Sequence, residues 1–150
     1  HAAHPVSTSL RTRWLLLHLY VVGAVAVGGA LGGSLRYGLT LLFPYEAGSV
    51  PYVIACINIA GAFVLGMLGR WIVHAYPRYR LLRVMLTTGL LGAFTTFSTY
   101  ALDLVFLVDA ERIAAALAYG AVSLGGGIAA ALSGLYLADR LLRRTSSPSS

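Results

Sequence analysis

The chain has 150 residues, 58% of them hydrophobic and only 11% charged, with 17 glycines and a mean hydropathy of +0.78. Soluble domains carry about 25% charged residues, so this composition excludes an ordinary soluble domain and predicts one compact membrane domain. The net charge of +6 comes from eleven arginines against five acidic residues; the arginines sit at the ends of apolar runs, where they face headgroups, which leaves no basic face in water to hold nucleic-acid phosphates and argues against nucleic acid as a partner.

The chain opens HAAHPVSTSLRTRW without an initiator Met, so a natural start upstream is expected. Residues 1–13 read as an N-terminal tail. The apolar run that follows, 14–35, exceeds the roughly 7–15 residues of a secretory signal and predicts a retained span. It ends in GGALGGSLRYG, where Gly28 and Gly32, then Gly29 and Gly33, form two overlapping GxxxG pairs of the kind that let membrane helices approach closely. Arg36 closes the run and admits two readings: snorkelling to the headgroups, or standing at the mouth of a pathway and concentrating anions there.

A bilayer core of about 30 Å needs roughly 20 apolar residues of helix. Three further windows qualify, at 52–73, 82–105 and 113–137, separated by the connectors FPYEAGSVPY, HAYPRYR and DAER. The four spans make one transmembrane domain over 14–139, and residues 140–150 read as a disordered polar tail. In the second span Cys56, the single cysteine, reads as a small buried packing residue. Ala62 with Gly66 repeats the small-xxx-small spacing, as Gly127 with Ala131 does in the fourth span.

Arg11, Arg13, Arg70, Arg78, Arg80, Arg83, Arg140, Arg143 and Arg144 flank one side of these spans, while Arg36 and Arg112 flank the other. The positive-inside rule then predicts a multi-pass protein of the plasma (inner) membrane with both termini cytoplasmic.

The spans contain no Lys or Glu, and Asp103 and Asp139 fall near the ends of the third and fourth. An ion-coupled cation transporter would place a carboxylate deeper than that. Neutral donors are present instead: Asn58, the hydroxyls of GLLGAFTTFSTY (89–100), and Tyr119 with Ser123, which share one helix face. Each alone has a structural reading as a cross-helix bond or a bond back to its own helix. Together, with Phe97 and Tyr100 spaced to present aromatic edges on one face, they align as an anion route.

The motifs GGALGGSLRY, NIAGAFVLG and GLLGAFTTFSTY, followed by Tyr119 and Ser123, appear in an order that resembles the Fluc/CrcB fluoride channels across essentially all four spans. The resemblance implies an all-α membrane protein of four transmembrane helices with a broken third helix, assembled as an antiparallel dimer in the lipid bilayer. It implies a passive channel exporting fluoride, with no enzymatic step. Asn58, Phe97, Ser98, Tyr100, Tyr119 and Ser123 would line the fluoride pathway and Arg36 its vestibule. A structural sodium ion between the subunits would be held by the backbone carbonyls of Gly92 and Thr95.

Two features depart from that pattern. Tyr100 stands where the family has Phe, adding a hydroxyl donor. A flank bias of nine arginines against two implies a fixed orientation, hence pairing with an oppositely oriented homologue rather than with itself. Two rivals remain at this stage: a small four-helix drug/proton antiporter, which needs a carboxylate that the first span lacks, and a non-transporting membrane subunit, which leaves TTFST without a purpose.

Overall fold

Apolar chain inside a bilayer must satisfy its own backbone, and the described residues, 6–75 and 78–145 of a computed structural model, do so with helices and no strands. The first helix, α1 (Val6–Leu42), and the second, α2 (Tyr52–Ala75), are continuous. The third span is segmented: α3 (Arg80–Val84), a π-helical stretch Met85–Leu91, α4 (Gly92–Phe94), an interruption, and α5 (Phe97–Asp109). The fourth, α6, runs Ile113–Thr145. Four helical segments are thus long and apolar enough to cross a membrane, the third counted through its interruption. The chain is an all-α, four-helix, multi-pass membrane protein.

Helix extends beyond the expected spans at both ends. Residues 6–13 and 140–145, assigned above to tails, belong to α1 and α6; residues 1–5 and 146–150 lie outside the described residues. The buried core is small, centred on Ile54, Ile57, Leu91 and Leu107, whereas large apolar side chains such as Trp14, Leu19, Leu117 and Leu132 point outward. That inversion suits a solvent of lipid tails.

Close backbone approach builds two packed pairs. A Cβ on Gly28 would collide with the Met85 carbonyl, and one on Gly32 with the Leu90 carbonyl, so this GxxxG pair seats α1 on the π-helical stretch. Likewise Gly66 of α2 lies on the Ala131 carbonyl, and Gly134 of α6 lies on the Phe63 carbonyl. Gly33 and Gly127 face open space within the subunit, while Gly29 shares the first seat, its N lying 3.2 Å from where a Cβ on Gly89 would stand. In α6 the close contact comes from Gly134, seven residues after Gly127.

One end of the bundle is closed by two short connections. Gly48 adopts φ +80°, where a Cβ would also press on Ala110, and Glu111 adopts φ 59° in the turn that ends α5. Arg112 Nη1 donates to the Gly48 carbonyl at 3.0 Å and ties the two turns together.

Candidate functional site: the break in the third span

Thr95 (φ −76°, ψ 154°) and Thr96 (φ −145°, ψ 121°) are both extended, and between α4 and α5 they halt the helical ladder. Such a break releases backbone groups that cannot stay bare at membrane depth. Asn58 of α2 meets two of them: its Nδ2 donates to the Thr96 carbonyl at 2.9 Å and its Oδ1 accepts from the Thr96 N–H at 2.8 Å. Arg36 of α1 meets a third, Nε donating to the Ala93 carbonyl at 3.1 Å.

In a continuous helix the Thr96 N–H would serve the Gly92 carbonyl, and the Thr99 N–H the Thr95 carbonyl. Here the first goes to Asn58 and the second to the Thr96 hydroxyl, the N-cap of α5, at 3.2 Å. The Gly92 and Thr95 carbonyls therefore lose their helical donors. The same Thr96 hydroxyl donates to Thr99 Oγ1 at 3.0 Å and lies 3.3 Å from Ser98 Oγ, so three hydroxyls gather at the positive end of α5.

Beside the break lies a cavity of about 290 Å³ whose wall includes Asn58, Thr95, Phe97, Tyr100 and Ser123. Four of the six expected pathway residues are thus brought together. Tyr119 stands next to the cavity, its ring centroid 5.4 Å from that of Tyr100; Phe97 and Tyr100 are 5.8 Å apart and tilted by 45°. Phe97 is 79% exposed, and Ser98 is also exposed, on the outer side of the break.

Two hydroxyls here make no hydrogen bond of ordinary length, although they bear on each other and Tyr119 also bears on Asp103. Tyr119 is 4% and Ser123 7% exposed, yet neither Tyr119 Oη nor Ser123 Oγ has a hydrogen bond. A buried unpaired hydroxyl costs about 1–3 kcal/mol, so a pair one helical turn apart marks a place where something else supplies the partner. Tyr100, by contrast, is engaged: its hydroxyl donates to the Gly120 carbonyl at 3.4 Å, tying α5 to α6.

Several residues were not legible as site members. Thr96, counted above only among the hydroxyls of the third span, emerges as the hub of the break and the N-cap of α5, a role signalled by a threonine before Phe-Ser-Thr. Ala93 enters only through its carbonyl. Asp103, placed above near the end of the span, is 5% exposed within α5, and the Tyr45 hydroxyl donates to its carboxylate with both oxygens at 3.2 Å. Burial, followed by the neighbouring Asp103 charge, pushes the Tyr45 phenol up to about 12, so it remains a donor. Cys56 is exposed rather than buried, on the wall of a separate apolar cavity of about 540 Å³ between α1 and α2. Arg36 is half-buried and turned toward the break, which removes simple snorkelling as its role.

Residues 23–135 match the family described as CrcB-like protein, Camphor Resistance (CrcB). A protein of Streptomyces avermitilis named fluoride-specific ion channel FluC 2 is 45% identical over 104 residues, covering 69% of this chain and 66% of that one. One of Nocardia farcinica with the same name is 40% identical, covering 76% and 79%. The Rhizobium meliloti fluoride-specific ion channel FluC is 38% identical, covering 80% and 94%. The matched segment thus spans just under two thirds of the first of these relatives and most of the other two.

Proposed function

The chain belongs to the CrcB family, and from that premise we propose that it is a fluoride-selective passive channel that exports the ion from the cytoplasm. The observation that carries the reading is the pair of buried hydroxyls of Tyr119 and Ser123, neither in a hydrogen bond of ordinary length, beside the Asn58–Tyr100 cavity. Fluoride is small and strongly hydrated. A pore must replace its water with closely spaced donors and admit little else. The Ser123 hydroxyl and the Phe97 ring edge on the cavity wall, with Tyr119 next to it and Ser98 on the exposed side of the break, supply such donors, and the N-terminus of α5 adds positive potential without a titratable group.

Asn58 serves this path chiefly by holding Thr96 extended, and Arg36 by holding Ala93. The carbonyls of Gly92 and Thr95, deprived of their helical N–H donors, suit a sodium ion. When bound, the ion supplies fixed positive charge at the break. Phe97, largely uncovered in the single subunit, supports an antiparallel dimer in which a second subunit completes the pore. The arginine bias supports a fixed orientation with cytoplasmic termini, and an oppositely oriented homologue as that partner.

Efflux of fluoride from liposomes holding the purified protein, followed with a fluoride-selective electrode, tests the reading. Fluoride should leave down its gradient without nucleotide or proton gradient, and chloride should not. No efflux, either alone or with an oppositely biased homologue, would overturn it.

A further inference from the structure

At the end of the bundle opposite the two tied turns, α2 and α6 finish side by side, aligned by the contacts of Gly66 with Ala131 and Gly134 with Phe63. Asp139 is the acidic residue of that end, and cations gather on it. Arg70 Nε lies 2.6 Å from Asp139 Oδ1, the one ion pair among the described residues, and Arg143 and His74 also bear on its charge. One turn away the Arg140 guanidinium lies 5.1 Å above the Tyr136 ring, which holds it along the helix surface.

The Arg70–Asp139 contact has a specific shape. It uses Nε and a single carboxylate oxygen, so the two terminal guanidinium nitrogens of Arg70 are not spent on Asp139. Both side chains are roughly two-fifths exposed, at 44% and 40%. One carboxylate thus fixes one arginine by its edge, Arg143 bears on the same charge, and Arg140 lies over Tyr136 nearby on α6, both of these arginines being exposed. The set keeps a net positive charge and an open planar fork, the geometry that suits a phosphate.

Position decides what kind of phosphate. Arg70, Arg140 and Arg143 occupy the last turns of two apolar membrane helices, with exposed Tyr136 at the same level. Cations at helix C-termini meet favourable backbone potential, and aromatic rings at that level belong to the headgroup layer. The sequence concentrates nine arginines at this end against the single acid Asp139, while Glu46, Asp109 and Glu111 cluster at the other. The charge complements an anionic leaflet.

We propose that Arg70 and Arg143, gathered at Asp139 by the packing of α2 on α6, together with Arg140 held over Tyr136 on the adjoining surface of α6, form a binding site for the phosphate of an anionic phospholipid headgroup. The ion pair is then a device that orients Arg70 toward the lipid. Each arginine near a membrane surface is worth about a fivefold change in affinity for anionic lipid, so losing two should cost about 5- to 25-fold.

The test uses the whole protein in mild detergent, titrated with phosphatidylglycerol, with phosphatidylcholine of the same acyl chains, or with inorganic phosphate. Lipid binding is read by native mass spectrometry and by the midpoint of thermal unfolding. Phosphatidylglycerol should bind several-fold tighter than phosphatidylcholine and raise the midpoint, and added salt should weaken the preference. The Arg140→Gln/Arg143→Gln pair leaves the Arg70–Asp139 contact intact and should lose most of that preference while folding normally. Equal binding of the two lipids, an unchanged preference in the double variant, or an equal midpoint shift from inorganic phosphate alone would each overturn the proposal.

Discussion

Asn58 holds Thr96 by both backbone groups, with hydrogen bonds of 2.9 and 2.8 Å across 38 positions of sequence. A side-chain amide thus does for one extended residue what a neighbouring strand would do. It is why the third span can break inside a membrane. Replacing Asn58 with Ala leaves the Thr96 N–H and carbonyl unpaired, at about 1–3 kcal/mol for each buried group. Asn58→Asp keeps the acceptor, loses the donor and adds negative charge. Both should lower the thermal midpoint in detergent and depress fluoride efflux, Asp more strongly in efflux because of its charge. An Asn58→Asp protein with wild-type efflux would remove Asn58 from the site.

Tyr100 gives a contrasting expectation. Its hydroxyl bonds to the Gly120 carbonyl, so it ties helices together instead of contributing a donor to the cavity. Tyr100→Phe should leave fluoride flux within about twofold, and it should cost stability by roughly 0.6 kcal/mol, the mean for polar contacts between membrane helices. Stability is read from thermal unfolding and flux from the electrode. A large loss of flux at unchanged stability would return the hydroxyl to the pathway.

The packing glycines make a prediction about the fold alone. Gly32→Ala drives a methyl into the Leu90 carbonyl, a backbone atom that cannot step aside, whereas Gly23→Ala meets nothing within 4 Å. Gly32→Ala should sharply reduce the yield of folded protein on size-exclusion chromatography. Gly23→Ala should behave as wild type, and equal behaviour of the two would contradict the described seating of α1.

Asp103 and Tyr45 couple the middle of α5 to the α1–α2 turn. Tyr45→Phe removes the donor that lies 3.2 Å from both oxygens of a carboxylate that is 5% exposed and on which only Tyr119 also bears. It should destabilise by about 1–3 kcal/mol, and Asp103→Asn in the same chain should recover part of that loss by removing the stranded charge. Thermal unfolding of the two single variants and the double variant checks this; strictly additive losses would show that the pair is not coupled.

Much of this architecture was legible because lipid imposes simple rules: four apolar runs of sufficient length became four spans, and Tyr119 with Ser123 fell on one face as their spacing requires. The small-residue spacing was legible as a class but not position by position. Gly28 and Gly32 meet backbone while Gly33 and Gly127 meet nothing, a difference that depends on helix rotation. The π-helical stretch over Met85–Leu91 has no pattern of its own in MLTTGLL. Asn58 was visible as a polar intruder, but its partner lies 38 residues away and is a backbone that only the fold delivers. Cys56 and Asp103 were misplaced for related reasons: an apolar run does not tell an exposed, cavity-lining cysteine from a packed one, nor a terminal carboxylate from one tucked beneath a turn.

The most direct measurement compares passive fluoride efflux and thermal stability for wild type, Tyr119→Phe and Ser123→Ala. The two hydroxyls are buried and make no ordinary hydrogen bond, only longer contacts with each other and from Tyr119 to Asp103, so removing either should leave the unfolding midpoint nearly unchanged. If they serve a passing anion, each removal should slow efflux by about 10- to 100-fold, the equivalent of one hydrogen bond to a charged group. Slower flux at undiminished stability is the predicted result. Wild-type flux in both variants, or flux lost only in step with stability, would contradict the account.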